Sequence, residues 1–235
     1  RRMRVPTFAR VCLAILSGAA TLAGAALTDA RAAPAQAATL ERQIDVRPFT
    51  GIALEGAMDI RVVQADRIQV LARGSQAALE TLDVRVEDGV LRLKQKNSIR
   101  LPGDDRLAVT ISLPDLRAFL LAGSGNVALD GVSADELTLK VAGSGTITAS
   151  GTCRKLSVNI AGSGDVKAEA LQCDTVTVRI AGSGDVATYA RETFAARIMG
   201  SGDITVFGNP KDRTRSVLGS GSVIYQDTAV SGGRR

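Results

Sequence analysis

The tripeptide Gly-Ser-Gly recurs six times in the second half of the chain, and its copies are almost equally spaced. Successive copies begin 20, 19, 20, 18 and 19 residues apart. A unit of this length cannot bury an apolar face by itself, so such units are stable only when they stack on one another. The first glycines of the six copies are Gly123, Gly143, Gly162, Gly182, Gly200 and Gly219.

The residues that flank the tripeptide repeat with it. Every copy has Leu, Val or Ile two positions before its first glycine, and Val or Ile four positions after it. The preceding segments alternate, as in Leu137-Thr138-Leu139-Lys140-Val141, and a period of two is typical of a β-strand. Glycine allows a tight turn between such strands. The sequence therefore predicts an all-β fold, a single-domain parallel β-helix (β-solenoid) with rungs of about 19 residues.

The earlier segment, residues 40–113, is expected to form less regular N-terminal rungs of the same fold. Gly56-Ala57-Met58-Asp59-Ile60 is a degenerate copy of Gly-Ser-Gly-Asp-Val. One or two helical turns are predicted within residues 75–82. At the other end, Arg213 and Arg215 occupy columns that are mostly apolar in earlier rungs, which predicts an atypical last coil that shields the open end. Short strands are predicted around residues 68–71, 84–86, 90–93 and 107–113.

The N-terminus has the pattern of an export signal. A positively charged segment over residues 1–10 precedes an Ala/Leu-rich stretch over residues 11–27, and two A-x-A patterns suited to signal peptidase follow. The apolar stretch is shorter than the ~20 residues that span a bilayer. We therefore predict cleavage after Ala32 or Ala37, no stable membrane span afterwards, and a periplasmic, secreted or cell-surface protein. A retained membrane anchor is the alternative.

The net charge of +5 belongs mostly to this signal. Five arginines and one aspartate precede Ala33, which leaves 24 basic and 23 acidic residues, or +1, for the rest. A nearly neutral body with 3% aromatic residues argues against a nucleic-acid partner. The predicted organisation is a signal and cleavage region over residues 1–37, the solenoid domain over 44–227 and a C-terminal tail over 228–235.

The repeated motifs resemble one known family. Gly-Ser-Gly-Asp-Val at Gly162 and Gly182, Gly-Ser-Gly-Asp-Ile at Gly200, and the opening Phe49-Thr50-Gly51-Ile52 are similar to the "putative auto-transporter adhesin, head GIN domain" family. The resemblance covers residues 44–226. It implies a single β-helix domain on exported bacterial proteins, with adhesion proposed from the architecture rather than from a known ligand.

The chain departs from the family's pattern at the Asp position of several copies. Asn126, Thr146 and Ser222 stand there instead, and the first copy has Ala57-Met58. The sequence therefore does not support a role that needs an aspartate at this position in every copy.

Three aspartates, Asp165, Asp185 and Asp203, are expected on consecutive rungs, where they form what we call the Asp column. Unit charges ~4.8 Å apart repel by roughly 0.9 kcal/mol in bulk water and ~3.5 kcal/mol at an effective dielectric of 20. Calcium-binding β-roll repeats of the form G-G-x-G-x-D make the three residues candidate metal ligands. The favoured interpretation is structural, with each Asp accepting backbone N–H bonds at its turn. We assign no metal and no cofactor.

Catalysis is the other hypothesis for paired carboxylates. The spacing between rungs is near the ~5–5.5 Å separation of retaining glycosidases. However, the chain has no His and no Trp, and it lacks the H-E-x-x-H and G-x-S-x-G motifs. We predict a non-enzymatic protein without catalytic residues.

The outward side of the strand before each turn is the predicted binding surface. A polar, mildly cationic ladder can dock an anionic glycan or another surface polymer, and the alternative is an ordinary solvated sheet face. The predicted function is an adhesion or cell-envelope interaction module whose partner is a surface glycan or an envelope protein. A calcium-binding or carbohydrate-active β-helix, and a purely structural spacer, are the alternatives. The surface consists of Thr138, Ser157 and Thr177 in one column and Lys140, Asn159, Arg179 and Arg197 in the next.

A disulfide is predicted between Cys153 and Cys173. Both lie nine residues before the first glycine of the next copy, so they occupy one column on adjacent rungs. Stacking places their Cα atoms ~4.8 Å apart, inside the ~4.4–6.8 Å that a disulfide accepts. An exported protein reaches a compartment that oxidises thiols. Two free thiols packed as small apolar residues are the alternative.

Overall fold

The computed structural model describes residues 39–96 and 107–226, and in them fifteen strands belong to one continuous sheet. The predicted signal, its cleavage sites and the tail over 228–235 lie outside the described residues. No helix in the described part of the chain is long and apolar enough to cross a membrane. The elements of the first half are β1 (Leu40–Ile44), β2 (Gly51–Gly56), β3 (Asp59–Gln64), β4 (Gln69–Gly74), α1 (Gln76–Thr81), β5 (Leu82–Glu87), β6 (Val90–Gln95), β7 (Ala108–Leu113) and β8 (Ala118–Gly123).

The second half consists of long strands that stack as parallel rungs. Successive rungs pair in register, so that the first glycine of each turn lies beside the first glycine of the next. This confirms the predicted β-solenoid and the register that its repeat implies. The strands are β9 (Asn126–Gly143), β10 (Thr146–Gly162), β11 (Asp165–Gly182), β12 (Val186–Gly200), β13 (Ile204–Phe207), β14 (Asp212–Gly219) and β15 (Val223–Gln226).

The core is built from the repeating aliphatic columns. The side chains two positions before each turn are buried from Leu121 to Ile198, and those four positions after its first glycine are buried from Val127 to Ile204. Full burial of one such side chain stabilises the fold by roughly 1.5–3 kcal/mol. Stacking the repeats therefore supplies the burial that no single repeat achieves.

The first glycine of each turn is required by two features of the stack. Gly182 has a φ of +140°, which residues with a side chain rarely adopt. A Cβ atom at this position would lie 2.0 Å from the carbonyl oxygen of Gly162 on the preceding rung. The turns therefore approach one another more closely than any other residue allows.

Cys153 and Cys173 are register partners on β10 and β11, and they form a disulfide with Cα atoms 4.5 Å apart. The predicted disulfide is confirmed. Both cysteines are buried, so the bond crosses between two rungs inside the core.

The N-terminal half departs from a simple sequential stack. As predicted, it contains parallel rungs, but the β2–β3 rung lies between the later β6–β7 rung and the β8–β9 rung. The remaining strands β1, β4 and β5 pair antiparallel, with β4 against β7, β1 against β4 and β5 against β6. These antiparallel strands cover the edge that a parallel stack would otherwise leave open.

A short helix connects the capping strands β4 and β5. Ser75, the N-cap residue of α1, accepts a hydrogen bond at its Oγ from Ala78 N, at 3.1 Å. Side-chain oxygens at this position satisfy amides that the first turn leaves without a partner. The predicted helical turns are confirmed at residues 76–81.

The last coil differs from the regular rungs, because one of its arginines covers the end of the core as the sequence predicts. The Arg213 guanidinium lies over the Tyr225 ring, 4.4 Å from its centroid, and Tyr225 packs edge-on against buried Phe194. Arg213 Nε also donates to Pro210 O at 2.7 Å. Arg213 and Tyr225 thus shield the last buried aromatic of the core, and Arg213 itself, like Arg215, is exposed.

Candidate functional site

The Asp column lies at the turns, where each carboxylate binds the following rung. Asp165 Oδ1 accepts from the backbone N–H of Asp185 at 3.1 Å, and Asp185 Oδ1 accepts from that of Asp203 at 2.8 Å. Asp203 Oδ1 accepts from both the backbone N–H and the hydroxyl of Ser222, each at 2.8 Å. Every Asp therefore joins two rungs at the corner of the solenoid.

These contacts are of the kind that the structural interpretation of the Asp column predicts. They differ in one respect, because the donor is on the next rung and not at the Asp residue's own turn. Hydrogen bonds to a charged group contribute about 1.5–3 kcal/mol when they are sheltered from water, and less at an exposed corner. Among residues 39–96 and 107–226, no group of three or more His, Cys, Asp and Glu is placed to hold a metal ion.

The predicted binding surface lies on the outward side of the strands before the turns. Lys140, Asn159, Arg179 and Arg197 are consecutive register partners on β9 to β12, and we call them the cation column. The three charged side chains are exposed and Asn159 is half-buried. The structure therefore brings this column together as a straight line across four rungs. The neighbouring column, also in register and half-buried, consists of Thr138, Ser157 and Thr177.

The charged members of the cation column have no acidic partner in the described part of the chain. No ion pair there involves Lys140, Arg179 or Arg197. Asn159 separates Lys140 from Arg179, but Arg179 and Arg197 lie on adjacent rungs. Like charges at a rung spacing of ~4.8 Å repel by roughly 0.9 kcal/mol even in bulk water. The column consequently presents positive charge that the fold does not neutralise.

A second group of basic residues, four to six residues before the cation column along the same strands, is paired. Each of these side chains lies within 3.3 Å of a carboxylate that belongs to the preceding rung. We call these contacts the edge pairs. They are Arg154 with Asp135 at 2.8 Å, Lys155 with Glu136 at 3.0 Å and Arg191 with Asp174 at 3.3 Å.

An outward apolar column, which the sequence analysis did not single out, runs beside the cation column. Its members directly precede the Gly-Ser-Gly copies, at positions where strand alternation predicts a solvent-facing side chain. The signal was present in the sequence, because all six copies have Ala, Met or Leu there. The exposed members, which we call the apolar column, are Ala142, Ala161, Ala181, Met199 and Leu218.

The cation column and the apolar column, except Leu218, line one shallow groove of about 590 Å³. Lys140, Arg179 and Arg197 lie on one side of it, and Ala142 and Met199 are among the apolar residues on the other. Such a groove offers cations and an apolar strip to the same ligand. It suits a partner that carries negative charge and an apolar part close together.

Comparison with known proteins agrees with the fold. The chain matches the family described as "Putative auto-transporter adhesin, head GIN domain" over residues 48–210. No curated protein matches the chain.

Three solved structures share the architecture. A "putative adhesin" from Bacteroides fragilis NCTC 9343 is 22% identical with a TM-score of 0.67, and the match covers 80% of this chain and 97% of that one. A "putative lipid binding protein" from Parabacteroides distasonis ATCC 8503 is 21% identical with a TM-score of 0.52, over 80% and 97% of the two chains. A "putative adhesin" from Parabacteroides merdae ATCC 43184 is 16% identical with a TM-score of 0.50, over 80% and 96%. At these identities the similarity shows the fold alone.

Proposed function

The chain belongs to the "putative auto-transporter adhesin, head GIN domain" family, and from this premise we propose that it is an exported, non-enzymatic attachment module. Its binding surface is the cation column, and its partner is a negatively charged component of the cell envelope or of another surface. The names of the family and of two structural relatives, which refer to adhesion, support an exported or surface protein.

The proposal rests on a difference between two groups of basic side chains, of which one forms ion pairs and the other does not among the described residues. The edge pairs neutralise Arg154, Lys155 and Arg191, whereas the cations of the column have no such partner among residues 39–96 and 107–226. A row of exposed, fixed cations attracts a polyanion over several ångströms and raises its association rate. The rigid stack keeps the cations in line, so little ordering is needed when the partner binds.

The test compares two variants of the purified protein that have the same change in net charge. In the first, Lys140, Arg179 and Arg197 are all replaced by Gln; in the second, Arg154, Lys155 and Arg191 are. Co-sedimentation with isolated bacterial envelopes measures binding at increasing salt concentration. We expect binding that weakens with salt, a loss of at least tenfold in the first variant and a change below about threefold in the second.

Equal losses in the two variants would show that only overall charge matters, which contradicts a specific surface. If binding is insensitive to salt and the first variant retains it, the attachment site lies elsewhere on the protein.

A further inference from the structure

We infer that the anionic component is a lipid surface, on which the cation column meets the headgroups while the apolar column and the last coil enter the interface. This inference rests on the proposed function and names the partner of the same site. It follows from the distribution of apolar side chains around the cations.

Exposed large hydrophobic side chains are concentrated at one end of the solenoid. Within the described residues there are five of them, and four lie on the last strands, β12, β14 and β15. Single exposed apolar residues are normal on a soluble protein, but a cluster at one place marks an interaction surface. The four are Met199, Val217, Leu218 and Ile224, with 47%, 37%, 59% and 48% of their surface exposed.

Two of the four, Met199 and Leu218, lie beside the cation column, whereas Val217 ends the inward core column. Met199 follows Arg197 by two residues, so both point outward from β12 roughly 7 Å apart along the strand. Leu218 is the register partner of Met199 on the last rung and extends the apolar column to the end of the stack. Cations and apolar side chains therefore run as two parallel lines along one face.

A lipid surface can bind the cation column and the apolar column at the same time. Anionic headgroups attract exposed Lys and Arg, and the acyl boundary just below them accepts Met and Leu side chains. A soluble anionic polymer would bind the cation column but would make no use of the apolar column. The protein would thus bind the interface peripherally and reversibly.

The experiment measures co-sedimentation of the purified protein with vesicles of phosphatidylglycerol and phosphatidylcholine, and with vesicles of phosphatidylcholine alone. The test variant combines Met199→Gln with Leu218→Gln, both on the outward side. Its control is Leu40→Gln, which removes another exposed leucine, 43% accessible, from β1. Thermal unfolding checks that each variant is folded.

We expect the protein to bind the anionic vesicles at least tenfold more tightly than the zwitterionic ones. The double variant should lose at least tenfold in affinity for anionic vesicles, and Leu40→Gln less than twofold. Dextran sulfate, a soluble polyanion, should bind more weakly than the vesicles and should not distinguish the double variant from the unmodified protein.

Three results would overturn the inference. The first is tight binding to dextran sulfate without binding to anionic vesicles, which leaves attachment through the cation column intact but makes the partner a polymer. The second is vesicle binding that the double variant retains in full, which removes the role of the apolar line. The third is a dimer in sedimentation velocity that becomes a monomer in the double variant, which shows that a second copy covers the apolar end. Loss of column-dependent binding to both vesicles and envelopes would defeat the proposed function itself.

Discussion

The Asp column and the cation column overlap on the rungs of Arg179 and Arg197, yet the charges of the two columns differ in their partners. Each carboxylate of the Asp column accepts a backbone N–H from the next rung. The charged side chains of the cation column have no carboxylate partner among the described residues. A repeated charge with a partner on the next rung stabilises the stack, and a repeated charge without one remains available to a ligand.

This difference could not be inferred from repetition alone, because both columns repeat equally well. It depends on position relative to the turn. Asp165 and its equivalents lie at a corner where backbone N–H groups of the next rung lack a strand partner, whereas Lys140 and its equivalents lie inside strands whose backbone groups are already paired. Removal of the features that bring rungs together therefore tests this distinction.

The largest effect is expected from Gly182→Ala. The stacked turns keep both columns in register, and they leave no room for a Cβ atom at this position. The φ of +140° and the 2.0 Å approach to Gly162 O should together lower the free energy of unfolding by more than about 3 kcal/mol. Urea unfolding followed by circular dichroism measures the change. Gly131→Ala is the matched control, because Gly131 also has positive φ (+66°) but open space around its Cβ position. It should cost about 1–2 kcal/mol, and equal losses in the two variants would show that the close approach of the turns is unimportant.

Removal of the disulfide should have the next largest effect. Cys153 and Cys173 close a loop of 20 residues between two rungs, and the chain-entropy treatment gives a stabilisation of about 3 kcal/mol. The variant that combines Cys153→Ala with Cys173→Ala should show this loss in urea unfolding, and reductant should change the stability of the unmodified protein but not that of the variant. Two reactive thiols at these positions in unfolded, unreduced protein would contradict the bond.

A single carboxylate of the Asp column should contribute less. Asp185→Ala leaves the N–H of Asp203 without its acceptor, and at this exposed corner the expected loss is about 1–2 kcal/mol. Asp185→Asn keeps an acceptor oxygen and should lose less. Calcium should leave the melting temperature of all three proteins almost unchanged. A large gain with calcium that Asp185→Asn abolishes would show that the column binds the ion, since a ligand selective for the folded state must raise its stability.

Much of the fold follows from the sequence because the repeat itself determines the register. Residues at the same offset from Gly-Ser-Gly must pair, as Cys153 and Cys173 do, and alternation assigns each offset to the core or to solvent. The members of the Asp and cation columns were identified in this way. Their different roles needed the hydrogen bonds and ion pairs of the structure.

The N-terminal half was harder to predict for a physical reason. The β6–β7 rung has no copy of the tripeptide, so no repeat indicates that β2–β3 stacks between it and the β8–β9 rung. Antiparallel β1, β4 and β5 have the same alternation as parallel strands, and their direction depends on tertiary contacts. The apolar column was overlooked because alternation alone makes its positions ordinary solvent-facing ones.

The most direct test of the distinction is the free energy of unfolding of two triple variants in urea. One replaces Lys140, Arg179 and Arg197 by Gln, and the other replaces Asp165, Asp185 and Asp203 by Ala. The cation variant should unfold within about 0.5 kcal/mol of the unmodified protein, or be slightly more stable because like charges are removed, and the Asp variant should lose several times the loss of Asp185→Ala. If the cation variant were destabilised as much as the Asp variant, the account would be contradicted. The cations would then stabilise the fold and would not be available to bind a ligand.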